Sequence, residues 1–406
     1  MEESNEYASD EHSGEVPLMK KRTMFLLWVG AAISISEIYT GGTLASLGYG
    51  RGIAAILIGH LIGTALLALG GYISFTRKEN AMDSVAFSLG RGGGKLVAVF
   101  NVVQLIGWTI IMVVQAGAAA VGALPEIPFQ WAALLLSVLV LVWALIMGSP
   151  AARLNEIVVI LLSILCAVLF VEARGNGASP FVGLGDNMSM TLGIELSIAM
   201  PVSWLPLAGD YACRAESKTG AAAMPFAGYF IGSVLMYCFG LFIGISTGGD
   251  IFTFIAGSRL RFLACAVVLF STLTTAFLDL YSAAVSSRQL VKTKNERIPI
   301  LAIGLFTILA AVLFPISRYE EILINFLSAI GMVFVPVYSV LFLEFFFKQG
   351  RREKTFQLYA LLTIFIGMAG YRLFTQYEIW IPTVMSILLV GVFYVPFLLV
   401  RSAKKV

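Results

Sequence analysis

Few residues in this chain have types and spacings that suit chemistry, and most of them lie in strongly apolar surroundings. Glu37 stands in GAAISISEIYTGGTLASLGYG, residues 30 to 50, four residues before Gly41-Gly42. A carboxylate held at membrane depth costs about 2.5–3.5 kcal/mol. Glu37 therefore either faces a cavity, where it meets a substrate or carries a proton, or bonds backbone freed by a break at the glycines. A second group reads FSTLTTAFLDLYSAAVSS from Phe270. Ser271, Thr275 and Asp279 recur every fourth residue, with Thr274, Ser282 and Ser286 beside them, and so form one polar stripe on a helix. Such hydroxyls either bond their own backbone or, with carbonyls from a broken helix, supply the oxygen ligands that a hard cation such as sodium takes. In VVQLIGWTIIMVVQ, Gln104 and Trp108 share a face and Gly107 leaves room beside the ring. The pair suits a flat polar heterocycle, with the ring stacking and the amide donating and accepting; the alternative is a packing Trp beside a helix-bridging Gln. Gln115 lies two turns further on.

Composition sets the elements that must position these groups. The chain has 406 residues, 59% hydrophobic and 13% charged, with a mean hydropathy of +0.89. Apolar runs near 20 residues recur throughout, as in an all-α polytopic membrane protein. Twelve spans are expected, at about 23–50, 52–76, 94–123, 129–148, 154–172, 190–212, 221–248, 260–287, 297–316, 321–347, 355–372 and 378–400. With the N-terminus inside, 21 of the 27 Lys and Arg residues fall on the cytoplasmic side, the bias that orients membrane proteins. Both termini are then cytoplasmic, and the net charge of +3 says nothing of nucleic acid. The first 19 residues are polar and acidic, as in a disordered tail. The segment 77–93 is amphipathic and glycine-rich, and reads as a surface helix or an ordinary loop.

Two stretches look interrupted. One is span 1, at Gly41-Gly42. The other, IELSIAMPVSWLPLAGDYA, residues 194 to 212, carries Pro201 and Pro206 around Ser203 and Trp204. Proline removes a donor and breaks or kinks a helix. Paired interruptions in two halves of a membrane chain point to a secondary transporter's binding site. Asp210 and Glu344 sit near span ends and read as structural, and His60 reads as a satisfied hydrogen-bonding residue. The four cysteines form no CxxC and read as packing residues. No metal-ligand cluster and no nucleophile–base spacing suggests an enzyme.

The combination of LLWVGAAISISEIYTGGTLASLGYG, LIGHLIGTALLALGGYISF, QLIGWTI, SWLPLAGDY, STLTTAFLDLYSA and FLSAIGMVFVPVYSVLFLEFF resembles the nucleobase–cation symporter family, in its cytosine-permease and hydroxymethylpyrimidine-permease branch. The resemblance implies a leucine-transporter-type 5+5 inverted repeat plus two helices: a first repeat over 20–176, a second over 177–350, and two further spans and a tail over 351–406. It implies a pyrimidine held at mid-membrane by Glu37, Gln104, Trp108, Ser203, Trp204 and Ser271. It also implies sodium as the coupling ion, at Ala32, Ile35, Thr274 and Thr275, with no other cofactor. The Gln–Trp spacing is four where cytosine permeases have three, Ser271 replaces an asparagine, and Glu37 replaces a small polar residue. These departures favour a hydroxymethylpyrimidine, a thiamine precursor, over cytosine, with Glu37 accepting from its 4-amino group. The expected protein is a monomeric sodium symporter of the plasma membrane, in contact with lipid and not with nucleic acid. Its rivals are a proton-coupled porter titrating Glu37 or Asp279, and an amino-acid transporter of related fold.

Overall fold

A computed structural model describes residues 18–146, 151–175, 188–248, 251–288, 295, 297–347 and 355–403. Their regular structure is helical: α1 (Lys21–Ala32), α2 (Ile35–Thr43), α3 (Gly48–Arg77), α4 (Ala81–Ala123), α5 (Phe129–Ile146), α6 (Ala151–Gly175), α7 (Met190–Ser203), α8 (Leu205–Ala212), α9 (Lys218–Ala221), α10 (Ala223–Thr247), α11 (Ile251–Gly257), α12 (Arg261–Arg288), α13 (Arg297–Val312), α14 (Tyr319–Phe346), α15 (Leu358–Gln376) and α16 (Pro382–Ala403). Among the described residues nine helical stretches are long and apolar enough to cross a membrane, and Ile160–Val171 and α13 are shorter apolar helices.

The helices sort into two packed groups. In one, α3 lies against α7 and α8, and α10 against α1, α2 and α3. In the other, α4 lies against α12, α5 and α13. α14 touches both groups through α7 and α4, and α15 and α16 pack beside it. Close approach in the first group depends on small residues. A Cβ on Gly240 of α10 would collide with the Ile38 carbonyl and stand 2.8 Å from the Gly42 nitrogen, so α2 rests backbone to backbone on α10.

Local chemistry sets several helix ends. The Ser34, Asn80 and Ser189 side chains accept from the backbone N–H groups of Glu37, Asp83 and Leu192, and so cap α2, α4 and α7. The segment 77–93 is helical over most of its length. It forms the start of α4, and Gly90, with φ 79°, turns it into the long apolar part. The Asp210 carboxylate accepts from the Ala81 N–H at 3.0 Å, tying α8 to the start of α4. Glu344 is buried and accepts from Tyr394 and Arg401, joining α14 to α16. Both acids are therefore structural fasteners, as their positions near span ends imply. Met19 pairs with the segment after α8, its N–H donating to the Arg214 carbonyl and its carbonyl accepting from Glu216. Residues 1–17 of the expected tail lie outside the described residues.

Candidate functional site between two helix breaks

The first interruption falls earlier than the glycines suggest. Gly41 and Gly42 lie inside α2 and serve its contact with α10. The chain leaves helical geometry at Ile33 (φ −85°, ψ 90°) and Ser34 (φ −144°, ψ 157°). The reason is local: Ser34 gives α2 an N-cap, which a continuous helix would forfeit. Ala32 ends α1, where carbonyls have no helical partner. Ile35 opens α2, so its carbonyl enters that helix's own ladder.

The second interruption is milder. Trp204, between α7 and α8, keeps helical dihedrals (φ −87°, ψ −9°). Its N–H donates to the Pro201 carbonyl, and its own carbonyl accepts from Leu207 and Ala208. Leu207 thereby forsakes the Ser203 carbonyl, which Gln104 takes over from α4, Nε2 donating at 2.8 Å.

The breaks face one cavity of about 470 Å³, its open mouth included. Glu37, Gln104, Trp108, Ser203, Trp204 and Thr275 line it. Of the expected residues, Ser271, Ala32 and Ile35 do not. Ser271 is buried one turn before Thr275, and its carbonyl accepts the Thr275 hydroxyl at 3.0 Å. The Thr274 side chain lies outside the described residues. The wall also includes Ser34, Ser36, Met112, Met200, Tyr229 and Asp279. Of these, Tyr229 and Met112 carry no sequence signal that separates them from ordinary packing residues.

The side chains divide into engaged and open groups. The Ser203 hydroxyl donates to the Met200 carbonyl at 2.6 Å. The Gln104 amide nitrogen holds the Ser203 carbonyl and Asn101, whereas its Oε1, buried at the cavity wall, accepts from no described residue. Trp108 stands edge-on to Phe326, with ring centroids 5.3 Å apart, and Trp204 stands edge-on to Trp28 at 6.0 Å. Each ring thus has one edge braced.

The Glu37 carboxylate is fully buried. It does not bond the freed backbone: one oxygen accepts from the Tyr229 hydroxyl and the other from Ser233, at 2.6 Å, both on α10. Ser233 also meets His60 Nε2, and His60 Nδ1 faces the Ile56 carbonyl at 2.8 Å. A carbonyl cannot donate, so Nδ1 carries a proton. Ser233 has one hydroxyl proton and two acceptor-type neighbours. Both contacts are hydrogen bonds only if the Glu37–Ser233–His60 trio holds one proton more than a carboxylate plus a neutral imidazole. His60 is thus bonded at both nitrogens, as expected.

Ser36 ties the cavity wall to a cluster behind it. Ser36 donates to Gln115 Oε1 at 2.6 Å, Gln115 Nε2 donates to Tyr319, and the Tyr39 ring packs on Tyr319 and Phe252 at 4.9 and 5.3 Å. Gln115 therefore joins α2, α4 and α14 rather than extending the Trp108 face. Among the described residues no group of three or more His, Cys, Asp or Glu side chains could hold a metal ion.

No curated protein matches the chain in sequence. Among solved structures, the chain is similar to Mhp1 in its inward facing conformation. The TM-score is 0.76 at 14% identity, covering 95% of this chain and 91% of that one. It is also similar to Mhp1, a nucleobase-cation-symport-1 family transporter, in a closed conformation with bromovinylhydantoin bound. There the TM-score is 0.73 at 13% identity, with 95% and 93% covered. A Na+-coupled sialic acid symporter in a substrate-bound outward-open state gives 0.65 at 14% identity, with 94% and 89% covered. These likenesses are likenesses of fold. The family model for permeases for cytosine/purines, uracil, thiamine and allantoin matches residues 18–362. The chain is thus a multi-pass membrane transporter rather than an enzyme, and it belongs to this permease family.

Proposed function

We propose that this protein imports a pyrimidine by cation symport with alternating access, and that its substrate is a hydroxymethylpyrimidine. The observation that carries the reading is Gln104. It spends its amide hydrogens on the Ser203 carbonyl and Asn101, while its buried Oε1 accepts from no described residue, in a wall that also carries Trp108 and Trp204. A 4-aminopyrimidine offers what that arrangement lacks: a flat ring to lie against Trp108 and Trp204, and an exocyclic N–H for the open oxygen. Glu37, already accepting two hydroxyls, acts as a second acceptor with its remaining lone pairs. Ser271 shapes this wall through Thr275.

Sodium is the proposed coupling ion. The Thr275 hydroxyl at the cavity wall and the terminal carbonyl of Ala32 are oxygen donors of the kind a hard cation takes. Thr274 completes the set, and Ile35 serves more weakly because its carbonyl belongs to α2. In this reading the chain has twelve spans with two inverted repeats of five, acts as a monomer in the plasma membrane, and keeps both termini in the cytoplasm. The Lys and Arg bias supports the orientation.

A specific observation favours a proton as the alternative coupling ion: two titratable side chains, Glu37 and His60, meet through the single hydroxyl of Ser233. Proteoliposome uptake separates the two. A labelled hydroxymethylpyrimidine accumulates under an inward sodium gradient at equal pH if sodium couples. If it accumulates only under an inward proton gradient, the proton reading replaces the sodium one. If it accumulates under neither while cytosine does, the substrate assignment fails.

A further inference from the structure

A second cavity lies away from the helix breaks, between α14 and α15, with a volume of about 690 Å³ including its open side. Asn325, Ser328 and Met332 of α14 and Tyr371, Arg372 and Thr375 of α15 line it. Both strips belong to stretches apolar enough to cross a membrane. Arg372 and Asn325 are exposed and Ser328 is half-buried, yet none of the three makes a hydrogen bond or ion pair with a described residue. The lining includes no carboxylate.

Depth is set by the sequence around the groove. Arg372 comes four residues before the end of α15, roughly 6 Å at 1.5 Å per residue. Tyr377 and Trp380, 65% and 74% exposed, follow immediately, and aromatic residues of this kind mark the membrane interface. Asn325 stands six residues into α14, about 9 Å from its start. Earlier on α15, 14, 10 and 7 residues before Arg372, Leu358, Leu362 and Phe365 expose apolar surface. The groove is thus a cluster of donors at headgroup depth, beside a face suited to acyl chains.

We propose that this groove binds the headgroup of an anionic phospholipid. The Arg372 guanidinium takes two phosphodiester oxygens, and the Asn325 amide and the Ser328 hydroxyl donate to the remaining phosphate and glycerol oxygens. All three side chains are donors or carry donors, and a phosphodiester is acceptor-rich, so the match is one of charge and of hydrogen-bond sense. This proposal is independent of the substrate and coupling ion of the central cavity.

The test is native mass spectrometry of the full chain released from nanodiscs of phosphatidylcholine containing a minor fraction of phosphatidylglycerol. The wild-type protein keeps phosphatidylglycerol in preference to phosphatidylcholine. Arg372→Gln keeps about fivefold less, the loss expected for one basic contact at a membrane surface, and Arg372→Lys keeps an intermediate amount. Excess inorganic phosphate leaves the bound lipid in place. Should Arg372→Gln fail to fold, Asn325→Leu gives the same readout, with about a twofold loss. Equal retention by the wild type and these variants overturns the proposal. Displacement of the lipid by inorganic phosphate reassigns the groove to a soluble anion and also overturns it.

Discussion

The two helix breaks differ in a way opposite to their sequences. The stretch around α7 and α8 has two prolines, yet Trp204 stays helical and makes three backbone hydrogen bonds, its N–H to Pro201 and its carbonyl from Leu207 and Ala208. The stretch around α1 and α2 has no proline, yet Ile33 and Ser34 are extended. Proline removes donors but fixes φ near the helical value, so a helix can run past it if the stranded carbonyls find partners. Here Gln104 is that partner for Ser203. A side-chain cap and a backbone seat open a helix further: Ser34 caps α2, and α10 holds α2 at Gly240. The first break leaves the last carbonyls of α1 without helical partners. The second offers an aromatic ring and a carbonyl spoken for by a glutamine, which suits a heterocycle.

The largest effect is expected at the seat of the first break. Gly240→Val drives a side chain into the backbone of α2, and the folded protein should lose about 3 kcal/mol or more, read as loss of monodisperse protein after purification. A variant of normal melting temperature would show that α2 does not need that contact. Next comes the second break. Gln104→Leu leaves the Ser203 carbonyl unpaired and removes the open Oε1, so hydroxymethylpyrimidine affinity should fall about tenfold to a hundredfold in a calorimetric titration. An unchanged Kd would place the substrate elsewhere.

Two smaller effects sharpen the contrast. Thr275→Ala should weaken pyrimidine binding more at low sodium than at high sodium. Equal weakening at every sodium concentration would remove Thr275 from the cation site. Ser34→Ala deletes an N-cap and should lower stability by about 1 kcal/mol, whereas Pro201→Ala, at a junction that is already helical, should change it by less. A thermal melt of both variants checks the order, and the reverse order would mean that the proline, not the serine, sets the geometry.

Much of this was legible in the sequence because it rests on composition and period. Apolar runs gave the helices. Glu37, Gln104, Trp108, Ser203, Trp204 and Thr275 line one cavity, a grouping that only the family resemblance implied, because spacing within a span does not say which spans face each other. The misplaced break shows where such reading ends. Gly41-Gly42 resembles a helix breaker, but glycine also permits close packing, and only the position of α10 distinguishes the two. Partners distant in the chain were equally hidden. Glu37 was conspicuous, whereas Tyr229 and Ser233, 192 and 196 residues away, looked like any tyrosine and serine in a span. Glu195 is a second carboxylate of this kind. It lies buried in α7 and accepts from Tyr371 and from the backbone and hydroxyl of Thr383, so it caps α16 from another helix. Its charge at membrane depth is the same signal that marks Glu37; what the sequence hides is that neutral donors on other helices satisfy it.

In the proposed function a pyrimidine and a cation bind together between the two breaks. The most direct test is equilibrium binding of 4-amino-5-hydroxymethyl-2-methylpyrimidine and of cytosine to the purified protein, each with and without sodium. Tighter binding of the hydroxymethylpyrimidine, strengthened by sodium, is the predicted result. Binding of neither compound, or binding indifferent to sodium, would contradict the claim.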